Sequence, residues 1–303
     1  MKNTKIFLIA ALLGTTLASC QKEASIKPSE DQPEAKAGWT LTVSATKDID
    51  SKAMSLNGTE LKAYWKEGEK VGVYFGDSKI GTLTAGSITN DGQNAVLSGT
   101  LDNIVGLSEN SSITLLFPDK DAWSYLGQDG SAPSDISKLA TDFDYASATL
   151  TVSTLDTDTK KVTVSDAASF VNQQSVYRLG FKVSGAAVAV KSIFLTASQN
   201  KLVVSRSFAS GAWSSTWGTL SMEPSATPAD NLYYMAIRNE NTSDDDSYTF
   251  TVVRSNDNAV LEGTKSIPAA ALKSPMYLPA SVTVSQKVMS QSASEIQQAE
   301  DVL

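Results

Sequence analysis

The chain has 303 residues, with 25 lysines and arginines against 33 aspartates and glutamates, no histidine and a single cysteine. A net charge of −8 argues against nucleic acid as a partner, because phosphate contacts need a basic surface. Without histidine the commonest general base and the commonest metal ligand are both missing, and a lone thiol makes no internal disulfide, so neither metal, cofactor nor catalysis is expected.

In chain order, Lys2 and Lys5 precede an apolar run from Ile6 to Leu13, then Gly14-Thr15-Thr16 and Leu17-Ala18-Ser19-Cys20. A basic start, a short apolar centre and a small-residue end make a secretory signal. The run is too short to span a bilayer, which takes about 20 residues. Residues 1–19 are therefore read as a signal peptide, cleaved between Ser19 and Cys20. Leu17-Ala18-Ser19-Cys20 resembles the lipobox of bacterial lipoproteins. That resemblance implies that Cys20 becomes the mature N-terminus and carries acyl chains, each buried methylene adding about 0.8 kcal/mol of membrane attachment. It also implies a lipid-anchored location at the cell outer membrane. Losing Lys2 and Lys5 leaves 23 basic residues against the same 33 acidic ones.

Residues 20–38 are charged, contain proline and lack apolar periodicity, which predicts a lipidated flexible tether. Strands are predicted from Trp39 onward: 39–45, 71–76, two around the Asn90-Asp91-Gly92 turn within 81–101, 112–118, 148–153 and 160–165. The second half continues with 175–185, 189–198, 201–208, 231–239, 247–255 and 276–285. Many short alternating strands with frequent turns predict an all-β chain of two tandem Ig-like or transthyretin-like β-sandwiches. The N-terminal domain is placed at 39–170, the C-terminal domain at 171–285, and a polar, helix-prone tail at 286–303. Asn94-Ala95-Val96-Leu97-Ser98-Gly99-Thr100 is echoed by Asn258-Ala259-Val260-Leu261-Glu262-Gly263-Thr264, in keeping with two similar domains.

Trp213 and Trp217 lie four apart, a spacing that suits stacking on sugar rings, although packing within the domain is the favoured reading. Asp244-Asp245-Asp246 lacks the spacing of a calcium loop and reads as a solvated turn. A carboxylate pair for glycoside hydrolysis depends on spatial separation, and nothing in the sequence points to one.

Residues 50–76, with Trp65, Gly68, Glu69, Val71 and Val73, resemble the start of fimbrillin-like proteins of Bacteroidetes. Residues 142–153 are similar to the family's Asp-aromatic-x-x-Ala-Ser segment, and 175–185 to the opening strand of its second domain. The resemblance implies a pilus-type surface lipoprotein, not an enzyme, acting as fimbrial subunit, anchor or accessory adhesin. Its implied partners are outer-membrane lipid, other fimbrial subunits bound by β-strand exchange, and a host or glycan ligand. In the family, cleavage after the first strand frees that strand. Here Lys52, followed by Ala53, stands where the family has arginine, and no arginine precedes Arg178, so cleavage falls to a lysine-specific protease at Lys47 or Lys52. The alternative reading is a lipid-anchored glycan-binding protein for polysaccharide capture.

Overall fold

The alternating segment at Trp39 forms β1 (Trp39–Lys47), which buries every second side chain: Leu41, Val43, Ala45 and Lys47. The structure, a computed structural model, describes residues 38–47, 55–57, 60–62, 64–130, 137–240, 243–272 and 276–287. Residues from Gly38 onward form one compact unit. The tail 286–303, beyond Lys287, lies outside the described residues, as does the signal and tether up to Ala37.

The first half continues with β2 (Ser55–Asn57), β3 (Glu60–Lys62), β4 (Lys70–Phe75), β5 (Ser78–Thr89) and β6 (Asn94–Leu101). Then come β7 (Ser112–Phe117), β8 (Ala122–Ser124), the short helix α1 (Ser137–Asp142), β9 (Ala146–Asp156), β10 (Lys161–Val164) and β11 (Ala168–Asn172). Asn90, Asp91 and Gly92, at φ of 52°, 50° and 90°, make the left-handed turn between β5 and β6.

These strands close on themselves. β1 pairs with β11, β11 with β9, β9 with β7, β7 with β4, β4 with β5, β5 with β6, and β6 returns antiparallel to β1. β10 lies beside the start of β1, in line with β11. The expected sandwich of residues 39–170 is thus a closed, barrel-like sheet. Register shifts within β4–β5 and β5–β6 add the local bending that closure requires. Its interior is filled by Leu41, Val43, Val71, Leu83, Leu97, Leu115, Val152 and Phe170. The domain boundary expected between residues 170 and 171 falls inside β11, whose pairing with β1 is parallel.

The second half contains β12 (Ser175–Val183), β13 (Ala186–Ala187), β14 (Val190–Ala197), β15 (Val203–Ala209), β16 (Ala212–Trp217) and β17 (Leu220–Met222). It ends with β18 (Leu232–Ile237), β19 (Asp246–Arg254), β20 (Val260–Ile267), the one-turn helix α2 (Ala269–Leu272), β21 (Tyr277–Thr283) and β22 (Ser285–Gln286). One sheet runs β17-β14-β19-β20-β22; another joins β12 to β13, β18 and β21. Phe181 meets Phe250 with ring centroids 5.7 Å apart, and Tyr177 meets Tyr248 at 5.9 Å, so the two sheets face each other.

A third small sheet, β16-β15-β8, takes β8 from the first half. Around it runs an aromatic column drawn from both halves. Tyr145 stacks on Trp123 at 5.0 Å, Trp123 contacts Trp213 at 4.2 Å, Trp213 meets Phe208 at 5.2 Å and Phe208 meets Tyr74 at 5.5 Å.

The repeated heptapeptide has a structural counterpart. Gly99 in β6 and Gly263 in β20 sit where a neighbouring backbone leaves no room for a side chain. A methyl group on Gly99 would approach the Thr82 carbonyl oxygen to 2.1 Å, and one on Gly263 the Thr283 carbonyl oxygen to 2.2 Å. Two residues earlier in each copy, Leu97 and Leu261 are core residues.

Candidate functional site

Two clusters carry chemistry beyond packing. The first is at the end of β1. Because Lys47 shares the parity of Leu41, Val43 and Ala45, its side chain turns inward and is completely buried. Its Nζ donates to Asp144 Oδ2 at 3.1 Å and to the Tyr64 carbonyl at 3.4 Å, and lies 3.6 Å from Glu69 Oε2. The ammonium sits over the Phe117 ring at 3.8 Å and the Trp65 ring at 4.5 Å. Trp65 in turn packs edge-on against Phe117 and Phe170 at 5.4 and 5.2 Å. Glu69, at the mouth of β4, is held by the Lys66 N–H at 3.0 Å. Asp144, just ahead of β9, is buried, and its Oδ1 has no hydrogen-bond partner among the described residues. Trp65 and Glu69 come from one of the three family-like segments and Asp144 from a second, so the fold brings these two segments to this lysine. The expectation that Lys47 lies in a cleavable loop is corrected: its side chain is inside the sheet.

The second cluster surrounds the tryptophans. β16 alternates, so Trp213, Ser215 and Trp217 share one face while Ser214 and Thr216 share the other with Ser205 and Ser207, lining a 280 Å³ depression. Trp213 is half-buried, with the Arg206 guanidinium 4.4 Å from its ring. Trp217 is 45% exposed; Lys201 Nζ lies 3.7 Å over its ring, and its indole N–H donates to Glu240 Oε2 at 2.9 Å. The Ser215 hydroxyl donates to the other Glu240 oxygen. Arg206 donates to Ser215 at 3.2 Å and to Gln173 Oε1 at 3.0 Å, and Arg238 donates to the Gln173 carbonyl at 2.8 Å. Burial, with Arg238 beside it, brings the Arg206 guanidinium down to about 10. Burial pushes the Glu240 carboxyl up, but the Ser215 and Trp217 donors and the two guanidinium groups outweigh it, leaving it below the ordinary range. The arrangement ties Gln173, between β11 and β12, to β15, β16 and β18.

Ser19, Cys20, Lys52 and Ala53 lie outside the described residues. The solvated turn expected at Asp244-Asp245-Asp246 is corrected at its last residue. Asp246 is 3% exposed and accepts from the Ser198 hydroxyl, the Asn239 amide and the Gln199 N–H. The Lys47 cluster was missed from the sequence, though strict alternation along β1 already marks residue 47 as inward. Its carboxylate partners lie far away in the chain and leave no local signal.

No protein-family model matches the chain, and no curated protein matches it. Among solved structures it is similar to a candidate cell adhesion protein of Bacteroides ovatus, at 14% identity over 84% of this chain and 97% of that one, with a TM-score of 0.43. A candidate cell adhesion protein of Bacteroides fragilis is similar at 8% identity over 84% of this chain and 98% of that one, TM-score 0.42. A fimbrial protein of Bacteroides ovatus is similar at 12% identity over 81% of this chain and 48% of that one, TM-score 0.31. By their names, these three solved structures are adhesion or fimbrial proteins of Bacteroides.

Proposed function

We propose that the protein is a lipid-anchored cell-surface protein of the fimbrial and adhesin kind, attached to the outer membrane through acylated Cys20. In this reading it keeps its first strand and serves as an anchor or accessory adhesin, with other fimbrial subunits as its partners. The observation that carries the choice is the setting of β1. Eight residues of β1, Trp39 to Thr46, pair with β6, its other side pairs with β10 and β11, and its last side chain is an ion-paired lysine inside the sheet. Releasing β1 for strand exchange breaks every one of those pairings and opens two backbone edges at once. A strand so held favours retention, and retention keeps the lipid attached to the body.

N-terminal mass spectrometry of protein extracted from the cell surface tests this. The expected mature start is acylated Cys20. A start at Ala53 overturns the reading in favour of a polymerising subunit that has shed β1. Membrane attachment is tested separately: Cys20→Ser is expected to move the protein from the membrane fraction to the soluble fraction.

A further inference from the structure

An amine and a carboxyl group meet inside the closed sheet without water between them. Lys47 Nζ is 3.1 Å from Asp144 Oδ2, its side chain is fully buried, and a second carboxylate, Glu69, lies 3.6 Å away. The rings of Phe117 and Trp65 cover the nitrogen at 3.8 and 4.5 Å. The backbone fixes both partners, since Lys47 is registered against Phe170 of β11 and Asp144 directly precedes β9. Asp144 Oδ1 is buried with no hydrogen-bond partner among the described residues. We propose that Lys47 and Asp144 condense into an intramolecular amide cross-link, with Glu69 carrying the protons.

The step balances without any oxidant or co-reactant. The Lys47 ammonium passes one proton to the Asp144 carboxylate, leaving an uncharged amine against an uncharged carboxyl group. Nζ attacks the Asp144 carboxyl carbon, and Glu69 takes the second proton from the nitrogen. Glu69 then returns that proton to the departing hydroxyl, which leaves as water. One C–N bond forms, one C–O bond breaks, and Glu69 ends as it began. In water the two ions are well solvated and such a condensation does not proceed. Here burial penalises both charges, while a neutral amide removes them. Fixed contact supplies the rest, because well-oriented intramolecular partners reach effective concentrations of about 10⁵ M or more. The bond joins the end of β1 to the segment before β9, so β1 cannot leave the sheet.

The cross-link does not depend on lipidation or on a fimbrial role, and it is read on protein that keeps residues 37–52, so its failure is distinguishable from a mature start at Ala53. Full-length protein is unfolded, digested with trypsin and mapped by mass spectrometry. Expected is a branched product joining the peptide of residues 37–52 to that of residues 139–160, one water lighter than their sum, with no cleavage after Lys47. Recovery of a free peptide ending at Lys47, in place of the branched product, overturns the proposal. Glu69→Gln is expected to abolish the branched product while leaving the β circular dichroism signal unchanged. Full cross-linking in that folded variant overturns the role given to Glu69. Asp144→Asn is expected to give the same branched product, now with loss of ammonia, whereas Asp144→Ala gives none. The wild-type map decides the matter even if a variant fails to fold.

Discussion

The side chain of Gln128 pairs with the backbone of Ala236 in both senses. Its amide nitrogen donates to the Ala236 carbonyl at 2.8 Å, and its Oε1 accepts from the Ala236 N–H at 2.7 Å. β18 is the edge of its sheet, with β12 on its other side, so this amide covers the free edge at that point. The same nitrogen donates to the Tyr125 carbonyl at 2.8 Å, and the residue is 2% exposed. Gln128 therefore fastens a segment of the first half onto a strand of the second.

Replacing that amide by an apolar group of similar size isolates two buried backbone groups. Gln128→Leu is expected to lose about 2 to 4 kcal/mol, since each stranded polar group costs about 1 to 3 kcal/mol and the added apolar contact offsets part. Urea unfolding at neutral pH measures this. An unchanged midpoint contradicts the pairing.

The two echoed glycines make a controlled comparison. Gly99→Ala and Gly263→Ala force a methyl group against a backbone carbonyl, and each is expected to lower stability by about 1 to 3 kcal/mol. Gly86→Ala places its methyl where nothing lies within 4 Å, and is expected to be close to neutral. Thermal unfolding of the three variants separates the cases. Equal effects at all three positions would show that close approach is not the cause.

Asp246 gives a stability change with a defined pH direction. Burial pushes its carboxyl up, but hydrogen bonds from Ser198, Asn239, Ser247 and Gln199 outweigh burial and hold it below the ordinary 3.8. A depressed folded value contributes stability above the unfolded value, and this is lost as pH falls through the folded value. Asp246→Asn is therefore expected to cost about 1 to 2 kcal/mol at pH 7 and progressively less below about pH 4. Unfolding series at several pH values check the slope. A difference that stays constant from pH 7 to pH 2 rules the linkage out.

Trp213 and Trp217 are expected to part ways on substitution. Trp213→Ala removes contacts to Trp123 and Phe208 from the aromatic column and is expected to cost about 2 to 4 kcal/mol. Trp217→Ala, at an exposed position, is expected to cost under about 1 kcal/mol. Because Lys201 lies over the Trp217 ring and Trp213 is packed, gels containing soluble polysaccharide are expected not to retard the protein. Retardation that disappears in Trp217→Ala would put glycan capture ahead of the anchor reading.

Local chemistry made the individual strands legible. Alternation along 39–45 and along 175–185, and the turn at Asn90-Asp91-Gly92, depend only on neighbouring residues. The strands stand in the structure as Trp39–Lys47 and Ser175–Val183, each end within two residues of the pattern, and the turn stands where expected. The short strands were not legible: β8 and β17 have three residues each, too few to display a period. Closure of the first sheet was decided by tertiary pairing, because the return of β6 to β1 is a register between segments some fifty residues apart. The same holds for the crossing of β8 to β15 and for the meeting of Lys47, Glu69 and Asp144. Parity alone turns Lys47 inward, but an ammonium can stay buried only where the fold supplies carboxylates, and those arrive from the segments just before β4 and β9 once the sheet has closed.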